Sequence, residues 1–387
     1  MRRCISSLAS AAIVFTAVGA AAQTPPDSSS SSPPQITISG YVQPQFEITR
    51  SGGSTTDDVL LRRAVVAVRT TLIPGWSAAI QVDFAPALDE DGVTLLDGYV
   101  RYSGFAEGAV TITAGNQKVP FSRSALFSSP RRGLVERSFT GERAFAAPGR
   151  AIGLQADGRH HDSQFQWSAA LSSVYHAPDV DEVRFDGLAE ADETWNQGLM
   201  TVRRFEWHPF GPIAREQGDF EGGAFRLMTG GAAHLWRTDG DNNSFTEDGR
   251  STSDEFADLE SASGVELNLG LRGHGISADV AWSWTSAELI DSTFALGLYE
   301  GGKATLRQFS TEAGYMLVPG RLEALGAIDS LSSAARASTE YRPAAGMNWY
   351  ANGHRLKISA MHRETFNARG ATGARSRTTY IQAQLAF

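Results

Sequence analysis

The chain is poor in cysteine and in long apolar runs, and both absences limit what it can be. Cys4 is the only cysteine among 387 residues, and it precedes the first apolar run. The rest of the chain therefore needs neither a disulfide nor a thiolate metal ligand. After the N-terminus no stretch is apolar enough for a membrane helix of about 20 residues. A membrane location would require a closed β-barrel, because lipid leaves no other way to satisfy every backbone polar group.

The sequence also lacks the motifs of common catalytic and nucleotide-binding sites. It contains no Gly-x-Ser-x-Gly, no glycine-rich loop before Lys-Ser/Thr and no His-Glu-x-x-His. Its histidines are scattered, whereas a nucleophile and its base must lie within hydrogen-bonding reach. The formal net charge is -9, and no separate basic domain suggests nucleic-acid binding. We expect neither an enzyme nor a nucleic-acid-binding protein, and no cofactor or metal.

The N-terminus predicts export. Two arginines, an apolar run that is too short for a membrane anchor, and an Ala-Ala-Ala site are typical of a signal peptide over residues 1–22. Residues 23–34 are rich in proline and serine, which predicts a flexible linker. From residue 35 to residue 387 the composition does not shift, so we expect a single domain there.

Apolar and polar residues alternate along this domain with the period of a β-strand. In the first strand the apolar face carries Ile36, Ile38, Gly40, Val42, Pro44, Phe46 and Ile48. A pattern of roughly 13 residues exceeds the usual soluble strand of about 5–6 residues and suits a tilted transmembrane strand. Pro44 lacks a ladder donor, which predicts a bulge or a position near the rim.

The connections between strands alternate between short and long, as they do in outer-membrane barrels. The long ones are predicted at residues 51–58, 86–92, 118–150, 178–195, 237–256, 287–302, 330–337 and 366–375. A coarse count gives about 16 strands, an even number, and the last strand ends on Phe387 at the expected aromatic girdle. The sequence predicts an all-β fold: a transmembrane antiparallel β-barrel with both termini in the periplasm.

The segment 118–150 is strongly basic within this acidic chain. Its seven cationic residues are Lys118, Arg123, Arg131, Arg132, Arg137, Arg143 and Arg150, against the two carboxylates Glu136 and Glu142. Cations around a narrow pore lower the barrier to anions, and the planar donors of arginine match phosphate oxygens. The alternative is that the two glutamates pair with arginines and only hold the segment in shape.

Candidate anion-binding residues follow from this charge and from the alternation. In the basic segment they are Lys118, Arg123, Arg131, Arg132, Arg137 and Arg143, and on the water-facing side of strands they are Arg63, Arg69 and Arg101. The segments 178–195 and 237–260 are acidic, and they weaken the case for strong phosphate specificity because steering depends on the summed field.

Three stretches resemble the phosphate-selective porin O and P family. They are Leu60–Arg69, Val93–Val100 and Gly115–Ser122, the last reading Gly-Asn-Gln-Lys-Val-Pro-Phe-Ser and followed by Glu136-Arg137 and Gly149-Arg150. The resemblance implies a 16-stranded outer-membrane barrel, commonly a homotrimer, whose third external loop, here 118–150, folds into the lumen. It also implies a channel that favours anions, phosphate or polyphosphate in some members.

The combined expectation is a porin in the outer membrane of a Gram-negative bacterium. It would let small, phosphate-like anions diffuse passively, with outer-membrane lipid around it. A general or weakly selective porin for other small solutes is the nearest alternative. A non-conducting barrel that serves structure or adhesion is the alternative from another class.

Overall fold

The structure is a computed structural model that describes residues 35–86, 92–160, 162–177, 180–187, 197–238 and 259–387. The predicted signal peptide, the predicted linker and most of the two acidic segments lie outside these residues. None of the helices in the described part is long and apolar enough to cross a membrane.

The described residues form strands and a few very short helices. The strands are β1 (Gln35–Ser51), β2 (Ser54–Ile73), β3 (Trp76–Asp83), β4 (Thr94–Phe105), β5 (Val110–Lys118), β6 (Arg150–His160), β7 (Phe165–Ala177), β8 (Arg184–Gly187), β9 (Gln197–Trp207), β10 (Arg226–Thr238), β11 (Leu259–Gly273), β12 (Ile276–Leu289), β13 (Tyr299–Glu300), β14 (Lys303–Val318), β15 (Leu322–Ser333), β16 (Glu340–Asn352), β17 (Leu356–Phe366) and β18 (Arg375–Ala386). The helices are α1 (Arg123–Leu126) and single 3₁₀ turns at Ala106–Gly108, Ser129–Arg131, Phe139–Gly141 and Ala368–Gly370.

Sixteen of these strands close an antiparallel barrel, which confirms the predicted fold class. Each barrel strand pairs with its neighbour along the chain, and β1 pairs with β18 to complete the ring. The short strands β8 and β13 lie outside the ring and pair only with β7 and β14. Closure leaves no free sheet edge, as a barrel in lipid requires.

The two faces of the barrel wall differ in the way that the alternation predicts. Along β1, Gln43 and Gln45 are 1% and 2% exposed, whereas Ile36 and Ile38 are 69% and 64% exposed. The same contrast recurs along β14, where Glu312 is buried. One face is thus buried and polar, and the other is exposed and apolar, the inverse of a soluble protein and suited to lipid contact.

Pro44 lies at a β-bulge, as predicted. The register between β1 and β2 shifts at Gln43/Pro44, where Gln43 pairs with Arg63 and Pro44 pairs with Leu61. Arg62 is the extra residue of the bulge. From this point along β2, the odd-numbered and even-numbered side chains therefore exchange faces of the barrel wall.

Two connections differ from the sequence prediction. The expected long loop at 51–58 is wrong: β1 and β2 continue to the pair Ser51–Ser54, joined by a two-residue turn in which Gly52 and Gly53 have φ of 56° and 87°. Two consecutive positive φ values define a type I′ hairpin, which glycine adopts without strain. Conversely, residues 208–225 form a long connection on the side of the termini that was not predicted.

The barrel seam depends on a close approach at Gly40. Its backbone N–H and C=O bond to Phe387 at 3.0 and 2.9 Å. A Cβ at Gly40 would lie 2.5 Å from the carbonyl oxygen of Val65 and 2.8 Å from the ring of Phe387. At Gly326, in β15, a Cβ would meet nothing within 4 Å.

We therefore expect Gly40→Val to weaken barrel closure. The valine must displace a strand backbone, at a cost of roughly 1–3 kcal/mol, so the thermal unfolding transition of the purified barrel should fall. Gly326→Val is the matched control and should unfold near the wild-type temperature. Circular dichroism and gel mobility measure the unfolding temperatures. Equal unfolding temperatures for the two variants would contradict this role of Gly40.

Candidate functional site

The segment that connects β5 to β6 spans residues 119–149, and we call it the basic loop. The predicted bounds 118–150 include the two residues that end the flanking strands, since Lys118 and Arg150 pair across the ladder. Three prolines limit regular structure in the loop. Its short helix α1 is capped by Ser122, whose Oγ accepts a hydrogen bond from the backbone N–H of Ala125 at 3.3 Å.

Aromatic side chains fasten the loop to the barrel. Phe121 and Phe139 are 1% and 0% exposed and belong to one apolar cluster with Phe185 and Trp236. Burying a phenylalanine side chain contributes about 1.5–3 kcal/mol. The guanidinium of Arg342 lies 3.3 Å from the ring centroid of Phe139. These contacts hold both ends of the loop against the wall.

Arg123 forms the main ionic anchor of the loop. Its Nε lies 3.2 Å from Oδ1 of Asp279 and its Nη1 lies 3.8 Å from Oε1 of Glu206. Its backbone N–H donates to Glu266 at 2.8 Å. Arg123 is itself only 2% exposed. It joins the loop to β9, β11 and β12, and its guanidinium is directed to the wall.

The middle of the loop hydrogen-bonds with β16 and β17. The ammonium of Lys357 donates to the carbonyl oxygen of Arg132 at 2.7 Å, and Asn348 donates to that of Gly133 at 3.0 Å. Arg132 is buried and donates to the carbonyl oxygen of Glu136 at 2.6 Å. Burial lowers the pKa of Arg132 to about 10, so the group stays protonated at neutral pH.

Arg62, the bulged residue of β2, clamps the loop from the other side. Its Nε and Nη2 donate to the two carboxylate oxygens of Glu136 at 2.9 and 3.1 Å, in a fork-to-fork pair. Burial would raise the pKa of Glu136, but the hydrogen bond and charge of Arg62 outweigh it and lower this pKa to about 2. Glu136 is thus a carboxylate at neutral pH.

Lys118 closes the base of the loop. Its ammonium donates to the carbonyl oxygens of Ala125, Leu126 and Phe127 at 3.0, 3.1 and 2.9 Å. These are the free carbonyls at the C-terminal end of α1, where a cation is favourable. All three donors of Lys118 are therefore used by the backbone of the loop.

The other loop candidates have different surroundings. Arg131 has a 57% exposed side chain and pairs with Glu216 at 2.8 Å. Arg137 donates to the carbonyl oxygen of Ser124 at 2.8 Å, and Arg143 pairs with Asp186 at 3.0 Å. Arg137 and Arg143 line a large cavity, whereas Arg123, Arg131 and Arg132 do not line it.

The three wall candidates lie on the polar face, two of them on β2. Arg63 donates to Oε1 of Gln43 at 3.1 Å, and Arg69 donates to Oγ of Ser39 at 3.0 Å. Arg101 donates to Oγ1 of Thr113 at 3.1 Å and lies over the ring of Tyr99. Each of them uses only part of its guanidinium in these bonds, which leaves donors directed at the adjacent cavity.

Two large cavities lie along the β1–β7 side of the barrel. One has a volume of about 700 Å³ and the other of about 860 Å³. Asp97, Lys118 and Leu126 line both, so the two cavities meet at the base of the basic loop. The cationic residues of the first cavity are Arg62, Arg63, Arg69, Lys118, Arg137, Arg143, Arg150 and Arg184, and its acidic residues are Asp83, Asp97, Glu136, Glu142 and Glu182. The cationic residues of the second cavity are Arg101, Lys118, Arg159 and Arg215, and its acidic residues are Asp97 and Asp157.

Five cationic residues that line the cavities were not among the candidates: Arg62, Arg150 and Arg184 in the first cavity, and Arg159 and Arg215 in the second. Strict alternation from Arg63 would place Arg62 on the lipid side, but the bulge at Pro44 brings it to the polar face. Arg150, which begins β6 at the end of the loop, pairs with Asp97 at 2.7 Å. Arg184 lies in the segment 178–195, which was predicted to be an acidic external loop, and it lines the first cavity.

Solved porins share this fold. The anion-selective porin from Comamonas acidovorans is 12% identical with a TM-score of 0.60, over 92% of this chain and 100% of that chain. OmpF of Salmonella typhi, solved with daunomycin, is 11% identical with a TM-score of 0.55, over 90% and 97%. OmpT of Vibrio cholerae, in its in-vitro folded trimer form, is 9% identical with a TM-score of 0.53, over 92% and 100%. At sequence identities this low, the similarity shows a shared fold and nothing about function.

The closed barrel is thus the fold of the anion-selective porin above. The model of the family described as "Phosphate-selective porin O and P" matches residues 44–196, which confirms the predicted resemblance. The matched residues make up less than half of the chain, and the closed barrel agrees with the fold of the solved porin above. No curated protein sequence matches the chain.

The anchoring role of Arg123 leads to a prediction about the loop. Arg123→Ala leaves Glu206 and Asp279 buried with one cation fewer, which should cost on the order of 3 kcal/mol. Hydrogen exchange of the backbone amides in residues 121–127 should then accelerate by about a hundredfold, because local opening becomes easier.

Arg131→Ala provides the control. It removes an exposed ion pair worth about 0–1 kcal/mol and should leave the exchange of the same amides almost unchanged. If Arg123→Ala exchanged at the wild-type rate, the ion pairs of Arg123 would not be what holds the loop.

Proposed function

We propose that the protein conducts small anions by passive diffusion, and that the basic loop lies in the lumen and narrows it. The contacts of the loop support this position. They reach the buried faces of β9, β12, β16 and β17 through Arg123, Arg132 and Gly133, and that of β2 through Glu136. Contacts with the buried faces of strands so far apart in a closed ring favour a path of the loop between them.

The excess of cations along the two cavities is the observation that carries the anion preference. The cavity of about 700 Å³ is lined by eight arginine or lysine residues and five carboxylates. The cavity of about 860 Å³ is lined by four arginine or lysine residues and two carboxylates. A narrow path with low-dielectric walls concentrates this field and raises the local concentration of anions. The base of the loop, where Lys118 lines both cavities, is the proposed selective point.

Phosphate-like anions are the proposed solutes because of the chemistry of the donors. Arg63, Arg69, Arg137 and Arg143 are proposed to contact the passing anion, with Lys118 and Arg101 contributing charge. Guanidinium groups present paired N–H donors that match phosphate oxygens. Arg123, Arg131 and Arg132 are proposed to position the loop. The carboxylates in the same linings favour a weakly selective porin for small solutes as the second candidate.

Conductance in planar bilayers under a KCl gradient tests the anion preference. We expect a zero-current potential that indicates chloride over potassium. Removing one lining cation costs a nearby anion on the order of 1 kcal/mol, so Arg63→Ala or Arg137→Ala should each lower the anion-to-cation permeability ratio about fivefold.

Arg321→Ala, in the exposed turn between β14 and β15, removes one charge of the same kind outside both linings and is the matched control. A wild-type zero-current potential that favours cations would contradict the proposal.

Added phosphate should block the chloride current of the wild type, and it should block the current of Arg137→Ala less. A chloride current that is insensitive to phosphate would favour the weakly selective channel.

We also propose a homotrimer, from the family resemblance, and a mature chain that begins at residue 23, from the cleavage pattern. OmpT of Vibrio cholerae, which has a similar fold, was solved in a trimer form. Native mass spectrometry of the detergent-purified protein tests both points. We expect three copies per particle, each lacking residues 1–22. A monomer that persists across mild detergents would contradict the trimer, and a chain that retains these residues would contradict the predicted cleavage.

A further inference from the structure

Residues 208–225, which we call the termini-side segment, form an unusually long connection between β9 and β10. They lie on the side of the barrel where β1 begins and β18 ends. The other described connections on this side are tight turns, at residues 74–75, 106–109, 274–275, 319–321 and 353–355. Short turns are the rule on the periplasmic side of such barrels, so this segment needs a separate explanation.

The segment reaches up to the basic loop through Gln217, which is 5% exposed. Its side-chain oxygen accepts from the backbone N–H of Gly133 at 2.7 Å, and its own N–H donates to the carbonyl oxygen of Arg131 at 2.9 Å. Its side-chain amide also donates to Glu312. Glu312 lies six residues from the end of β14, which is roughly 20 Å along the strand.

The rest of the segment is fixed to the turns of the β11–β17 wall. Glu216 accepts from Arg272 at 2.7 Å through its carbonyl oxygen, and Asp219 accepts from the N–H of Gly275 at 2.7 Å. Burial, with the charge of Lys357, lowers the pKa of His354 to about 3. The neutral imidazole donates from Nε2 to the carbonyl oxygen of Gln217 at 2.8 Å.

The start of the segment faces the other side. Pro212 and Arg215 line the cavity of about 860 Å³ on the β1–β7 side. The guanidinium of Arg215 lies 3.5 Å from Glu206, and its side chain is 39% exposed. One connection therefore joins the basic loop on one side and adds a cation to the open cavity on the other.

We propose that the termini-side segment is a second selectivity element of the channel, which rests on the channel function proposed above. With the basic loop it forms a partition, joined at Gln217 and Gly133, that closes the β11–β17 side to solute. Solute is confined to the β1–β7 side, where the cations lie and where Arg215 marks the exit. Without the segment the basic loop would lose a partner in its middle and the path would widen on the side where wall charges are already neutralised by ion pairs.

A disulfide tests whether the two parts are joined. A Cβ built at Gly133 lies 3.7 Å from the Cβ of Gln217, within the range of about 3.5–4.5 Å that disulfides require. In a Cys4→Ser background, Gly133→Cys with Gln217→Cys should cross-link spontaneously and keep the wild-type conductance. Gly133→Cys with Gly223→Cys is the control, since a Cβ at Gly223 meets nothing within 4 Å, and it should remain reduced.

Bilayer recordings test the consequence for transport. Deletion of residues 210–223 should raise single-channel conductance at least about twofold and lower anion preference, because a second path opens whose wall charges are neutralised by ion pairs. If the deletion variant does not fold, the double variant Glu216→Gly/Gln217→Gly takes its place. It should show the same changes in conductance and anion preference to a smaller extent. Arg215→Ala should lower anion preference with little change in conductance.

The outcomes separate this inference from the proposed function. If the wild type prefers anions and folded deletion barrels keep its conductance and selectivity, the segment is only a long turn and the inference is wrong. A cross-link in the control pair but not in the test pair would overturn the joined partition. If instead the wild type lacks anion preference while the deletion widens the pore, the partition stands and the anion-channel function fails.

Discussion

The pairing of buried charges between the basic loop and the barrel wall is the interaction on which the rest of the structure depends. Arg123 comes to lie between Asp279 and Glu206 at 2% exposure. A charge at such a site is tolerated only when it is paired and hydrogen-bonded, and removing one partner is costly. Arg204 and Arg272 of the wall also pair with Glu206 and Asp279, so Arg123 completes a buried charge cluster that joins the loop to the wall.

This dependence gives the barrel two unlike sides. On the β9–β18 side, cations and carboxylates neutralise each other at short range, as Arg272 does with Asp279 at 2.7 Å. On the β1–β7 side the cavities remain open and cations outnumber carboxylates. The segment that is most basic in sequence is therefore not a uniformly cationic lining. Part of its charge is used to fix its position, and the remainder is combined with strand residues such as Arg63.

The fold could be predicted in large part from the sequence, because strand alternation is a local property. The faces of β1 and the bulge at Pro44 were correct, but the effect of that bulge on Arg62 requires the register with β2, which sequence alone does not contain. The long loop predicted at 51–58 overlooked Gly52-Gly53, a local signal for a two-residue turn. Arg123 was proposed to bind anions because of its charge. Its pairing with Asp279 could not be read from the sequence, because the two residues are 156 positions apart. Nothing local distinguished Arg123 from Arg137, and no pattern marked residues 208–225 as more than a loop.

The central claim is that anions pass along the β1–β7 side, by the base of the basic loop. The most direct measurement is a crystal structure of the purified porin soaked in bromide, with anomalous density used to locate the ions. The account predicts bromide in the two cavities beside Lys118, near Arg63, Arg137 or Arg101. Bromide on the β9–β18 side instead, or a soaked channel whose β1–β7 side holds only cations, would contradict it.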